Sequence, residues 1–75
     1  MAMTGDKYIL HSENGVDFEI TIIDVDNFRP AEMRYAADIY GGNGAYVRGA
    51  VFFGDAFLSK CEKVVDKDYK DKEML

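Results

Sequence analysis

His11 and Cys61 are the only histidine and the only cysteine of the chain, and a thiol beside an imidazole is the smallest nucleophilic machinery a protein can assemble. Their sequence surroundings argue for ordinary roles. Cys61 falls in an apolar stripe with Phe57, Leu58, Val64 and Val65, where a free cysteine serves as a small core residue. His11 closes a β-leaning run at the rim of a core face. A zinc site fails on ligand count, since one Cys and one His would need carboxylates to complete a tetrahedron.

Asp24 and Asp26 have the i, i+2 spacing that aims two carboxylates from one strand face at a hard cation. A calcium loop would continue with a ligand, a glycine and a glutamate at its fifth, sixth and twelfth positions. Here those positions hold Phe28, Arg29 and Tyr35. Acids bordering a helix start explain the pair more simply. Gly41-Gly42-Asn43-Gly44 has the composition of a phosphate cradle, but no Gly-Lys-Ser/Thr follows and the preceding segment reads as a helix, not a strand. Arg48-Gly49-Ala50-Val51-Phe52-Phe53 echoes the basic-Gly-aromatic strand of RNA-recognition modules, without the second aromatic strand or the basic surround. The expectation is therefore a protein that is not an enzyme and uses no metal or cofactor.

The remaining chemistry is acidic. Glu13, Asp17, Glu19, Asp24, Asp26, Glu32 and Asp38 outnumber Arg29 and Arg34 within one stretch, a local net of −5 that equals the formal charge of the whole chain. A one-sided field steers association. Those seven acids are the expected binding surface for a larger basic protein, nucleic-acid-handling proteins included, because carboxylates along a ridge can stand in for duplex phosphates, which carry about one charge per 1.7 Å. The same charge excludes direct nucleic-acid binding, where clustered Lys and Arg are needed.

Size and composition set the frame. Seventy-five residues, 48% hydrophobic and 13% aromatic, describe one folded domain spanning 1–75 near the lower limit for a single unstapled core. Such a chain gains from oligomerisation, and the exposed face of a strand carrying Tyr46, Val51 and Phe53 is the expected homodimer surface, an alternative role as a self-associating subunit. No apolar run approaches the ~20 residues of a membrane span. A free cysteine without an export pattern fits the cytoplasm.

The elements that must position these residues follow from periodicity. Lys7–Ser12 and Val16–Val25 flank Asn14-Gly15, the strongest short hairpin signal. A two-residue loop there pairs Glu13 with Val16, His11 with Phe18, Ile9 with Ile20 and Lys7 with Ile22, placing Ile9, Phe18, Ile20 and Ile22 on the core face. Pro30 after Asp26-Asn27 reads as a first helical turn, and Met33, Ala36, Ala37 and Tyr40 form a stripe ended by Gly41-Gly42. Ala45–Phe53 is a third strand. Asp55 caps a C-terminal helix, or Gly54-Asp55 turns into a fourth strand. The predicted fold is α+β, a small antiparallel sheet packed on a central helix and a C-terminal helix, with ββαββ as the alternative. Residues 1–6 are expected to fray, and the alternating charges of 66–73 to form a solvated helix end or tail. A five-residue periodicity through Val47, Phe52 and Phe57 is too short for a β-helix.

Overall fold

Two Asn-Gly pairs, Asn14-Gly15 and Asn43-Gly44, fold the chain back by one and the same device. In the first, Gly15 N–H donates to Ser12 O (3.1 Å) and Ser12 N–H to Val16 O (3.2 Å). In the second, Gly44 N–H donates to Gly41 O (2.9 Å) and Gly41 N–H to Ala45 O (2.7 Å). Each asparagine Oδ1 accepts from the N–H two residues on, Val16 at 3.3 Å and Ala45 at 3.0 Å. Gly15 and Gly44 take φ of +83° and +86°, the left-handed position that closes a three-residue loop with a bulge.

In the computed structural model, which describes residues 2–64, these turns join β1 (Lys7–His11) to β2 (Asp17–Val25) and β3 (Tyr35–Gly41) to β4 (Tyr46–Phe53). A 3₁₀ turn (Ala31–Met33) lies between the hairpins, and a single helical turn α1 (Asp55–Leu58) leads to the short β5 (Glu62–Lys63). The strands form one antiparallel sheet in the order β4-β3-β2-β1-β5.

The expected sheet on two helices, with its ββαββ alternative, is thus corrected to a five-stranded sheet with one helical turn. The central helix is strand β3. Tyr35, Ala37 and Ile39 alternate with Ala36, Asp38 and Tyr40, and pairing with β2 and β4 on both sides outweighs the helical spacing of Met33, Ala36, Ala37 and Tyr40. Pro30 opens only the 3₁₀ turn, and Gly41-Gly42 belongs to a hairpin, not a helix cap. The C-terminal helix ends after Leu58, and Gly54-Asp55 starts that turn in place of a hairpin to a fourth strand. Residues 65–75, with the charged run at 66–73, lie outside the described residues.

The first hairpin's register is also corrected. Leu10 faces Phe18 and Tyr8 faces Ile20, one residue from the two-residue-loop expectation. A one-residue slip exchanges the faces of a strand. Tyr8 and Leu10 therefore turn to the core and Ile9 away from it. Bulges make two further adjustments. An extra residue at Ile23 returns Val25 to the core face and keeps Asp24 out of it. Gly49 and Ala50, inserted opposite Asp38, put Val51 and Phe53 on the core side.

One sheet face is the core, centred on the fully buried Tyr35, Ile20 and Ile22 with Tyr8, Ala37 and Phe53. It is covered by Leu58 of α1 and by the N-terminal segment. In that segment Ala2 is buried, Gly5 N–H donates to Ile22 O (2.8 Å), and the Ala2 N–H points to the Tyr35 hydroxyl at 3.4 Å. The Tyr35 hydroxyl in turn donates to Asp55 Oδ1 at 2.6 Å, and Arg34 holds the other oxygen of that carboxylate at 3.1 Å. Among the described residues no helix is long and apolar enough to cross a membrane.

Two stability measurements check this account. Ala50 is the one non-glycine residue described at positive φ, +53°, and it is exposed. Ala50→Gly should therefore raise the unfolding free energy in urea by about 1 kcal/mol. Tyr35→Phe should lower it by about 1 kcal/mol, the modest end for a bond to a charged group because the half-exposed Asp55 can regain water.

Candidate functional site

Among the described residues no helix covers the second face of the sheet, and it holds four of the seven acids of the charged stretch. The register lines up Glu62, Ile9, Glu19, Tyr40 and Tyr46 in one row across all strands. Beside it run a row of Lys7, Thr21 and Asp38, a row of Asp24, Ala36 and Phe52, and the pair His11–Asp17. Strand alternation and the Ile23 bulge together place Asp17, Glu19, Asp24 and Asp38 on this common surface.

The other three acids sit elsewhere. Glu13 lies in the first hairpin loop, Asp26 at the end of β2 and Glu32 in the 3₁₀ turn. Several acids already have partners. Lys7 Nζ lies 3.5 Å from Glu19, and Arg29 reaches Asp24 at 3.3 Å and Asp26 at 3.5 Å. His11 places Nδ1 3.0 Å from Asp17 and Nε2 2.9 Å from Glu62. Glu13, Glu32 and Asp38 have no ion-pair partner among the described residues. The stretch that carries the net charge is thus one face with internal counter-ions, flanked by separate acids.

Arg29 is the organiser that the sequence hid inside an apparent break. Its Nε donates to Met33 O (2.8 Å) and Nη2 to Arg34 O (3.0 Å), and the guanidinium stacks 5.1 Å from the centre of the Phe52 ring. Asp24 and Asp26 are consequently salt-bridge partners of a loop clamp. Asp26 Oδ1 also accepts the Phe28 N–H at 2.9 Å. Among the described residues no cluster of three or more His, Cys, Asp or Glu could hold a metal ion.

The thiol and the imidazole are not joined. Both ring nitrogens of His11 face carboxylates, and the Cys61 thiol points to Phe57 O at 3.7 Å. Burial pushes the Cys61 pKa up, away from the thiolate a nucleophile needs. Tyr35 and Tyr8 are raised as well, chiefly by burial.

The surface expected at Tyr46, Val51 and Phe53 divides. Tyr46 is 62% exposed and meets Tyr40 edge-on, with ring centres 5.6 Å apart. Phe53 is 7% exposed and Val51 packs against the core, because the Gly49-Ala50 bulge aims them inward. Phe52, which the sequence reading left out, stands outward at 45% exposure. Alternation from Phe53 would have found Phe52 once Phe53 was assigned to the core. No local signal could have found Glu62, which joins the site only through the β1–β5 pairing.

Comparison with known proteins finds no matching family model, no matching curated protein and no matching solved structure. The face offers carboxylates partly neutralised by bases, with two tyrosines and a phenylalanine among them.

Hydrogen bonds to Glu62 and then Asp17 raise the His11 pKa above its ordinary 6.5. A raised pKa means that the charged triplet stabilises the fold fully below pH 6.5, and that this contribution fades as pH climbs through the folded-state midpoint. An NMR titration of the His11 ring should show that midpoint above 6.5, with Glu62→Gln and Asp17→Asn each moving it back toward 6.5. An unmoved midpoint in both variants would show that the bridge does not form in solution.

Proposed function

We propose that this chain is a small acidic binding protein, without catalytic activity, whose open sheet face engages a basic partner protein. The observation that carries the reading is the row Glu62–Glu19–Tyr40–Tyr46 with Asp17, Asp38 and Phe52 around it, on a face that, among the described residues, only the Arg29 loop covers, at its Phe52 corner. Aromatic anchors amid charges of one dominant sign are the composition of a specific interface, the aromatics supplying contact area and the charges register and approach rate. A partner with lysines and arginines opposite Glu19 and Asp38 would complement it.

The phosphate-mimic form of this reading, with a nucleic-acid-handling partner, draws less support. Lys7 and His11 interrupt the carboxylates, whereas a duplex backbone is unbroken negative charge. Self-association through β4 draws less still. Its expected contact Phe53 is in the core, and two register shifts break the ladder along that edge.

The test is capture at low salt on the immobilised chain and on its Asp17→Lys/Glu19→Lys variant side by side. Basic proteins should be retained by the first, released as salt rises, and bound ~10-fold or more weakly by the second. The variant must keep the parent's melting curve. Retention that ignores both salt and the charge reversal would overturn the proposal.

A further inference from the structure

A cavity of about 480 Å³ opens where the 3₁₀ turn, the end of β4 and α1 meet. Phe52, Phe53 and Phe57 form its apolar part, with Ala31 and Ala56 beside them and Glu32 and Asp55 supplying carboxylates. The rings are fixed in place: Phe53 stacks at 5.0 Å on Phe57 and at 6.2 Å on Tyr35, and Arg29 covers Phe52. The walls also meet closely. Gly54 approaches the 3₁₀ turn so closely that a Cβ there would come within 2.1 Å of Ala31 O.

The local charge has a definite sign. Arg29 is shared between Asp24 and Asp26, and Arg34 is taken by Asp55. Four carboxylates therefore meet two guanidiniums around the cavity, and Glu32 has no counter-ion among the described residues. The adjoining loop adds exposed apolar surface, with Phe28 wholly exposed and Met33 41% exposed.

From this combination we infer that the cavity is the anchor site of the basic partner, accepting one aromatic side chain that is flanked in the partner's sequence by arginine or lysine. An aromatic ring fits a pocket of three phenylalanines by tilted stacking, as Phe53 and Phe57 already stack on each other. The flanking cation meets Glu32 and the net negative rim. Charge complementarity thus selects a basic segment over an acidic one of the same shape. Phe52 belongs both to the cavity and to the outer sheet face, so an anchored segment can continue onto the Asp24–Ala36–Phe52 row. The inference rests on the reading of the chain as a binder of basic proteins, and it names the chemistry of the contact.

The probe is the capped peptide acetyl-Arg-Phe-Arg-amide, titrated into the ¹⁵N-labelled full chain, with Arg-Ala-Arg and Glu-Phe-Glu as controls. Amide shifts should centre on Ala31, Glu32 and Phe52–Phe57, with affinity ~10-fold or more lower for either control. Glu32→Lys should weaken the basic peptide and strengthen Glu-Phe-Glu while the remaining spectrum stays in place. Shifts confined to Asp17, Glu19 and Asp38 would overturn the cavity and leave the sheet-face reading standing. Shifts at the cavity that are equal for the basic and acidic peptides would overturn the charge selection and with it the inference. A peptide that enters the cavity as expected, together with capture indifferent to Asp17→Lys/Glu19→Lys, would separate the two in the opposite sense.

Discussion

The fold depends on one buried phenol. Tyr35 sits at the centre of the core face, wholly removed from water, with its ring against Phe53 and its hydroxyl between the N-terminal segment and α1. Among the described residues one helical turn and the N-terminal segment cover the core face of the sheet. These two pieces, Asp55–Leu58 and residues 2–5, bring Ala2, Phe57 and Leu58 onto the core. A buried hydroxyl must find partners or cost the fold a desolvated polar group. Asp55 Oδ1 accepts its hydrogen bond and Ala2 N–H approaches its oxygen. The need to satisfy Tyr35 thus positions the lid, and the lid makes the burial of Tyr35 possible. Arg34, the residue before it, closes the arrangement by holding the second oxygen of Asp55.

The sequence made the strands of the first hairpin and the strand ending at Phe53 legible, because apolar alternation bounded by Asn-Gly is a local signal. What it concealed is instructive. Tyr35–Gly41 satisfies a helical and a strand pattern at once, since Ala36 and Ala37 are small enough for either, and only the strands on both sides decide between them. The deciding clue was nonetheless present in the repetition of Asn-Gly at Asn43-Gly44, which implies a second hairpin and hence a strand before it. The slip in the first register has another origin. Asn-Gly supports a two-residue loop with both residues at positive φ and equally a three-residue loop with only the glycine there. Tyr8 and Leu10 against Ile9 is too even a contest for periodicity to settle. The bond between Tyr35 and Asp55 joins residues twenty apart, with no local trace.

The acids were visible as a cluster, but their counter-ions were not. Lys7 lies outside the acidic stretch, and Glu62 is brought beside His11 from the far end of the described chain. Arg29 appeared in the sequence only as one of two bases within the acidic stretch, whereas its guanidinium ties the connection between the hairpins to Met33, Arg34, Asp24 and Asp26. Exposed pairs of this kind contribute little to stability one by one. Their consequence here is spatial. They break up a uniform ridge of negative charge and leave Glu13, Glu32 and Asp38 as carboxylates without an ion-pair partner among the described residues.

Where contact with a partner can occur then follows from how the sheet ends. An open edge invites another strand, and sheets resist this by shortening or bulging their outer strands. Both devices are present: β5 is two residues long, and β4 breaks its ladder twice, at the cost of an alanine held in the left-handed region. With strand addition opposed at both edges, the surfaces left for recognition are the uncovered face and the cavity beside α1. Both contain Phe52, and both have acids within reach. A fold this small keeps little apolar surface exposed without reason, because exposed rings subtract from the burial that holds it together. Phe28, Tyr46 and Phe52 stay outside despite that cost. On the proposed binding reading, contact with a partner would bury them.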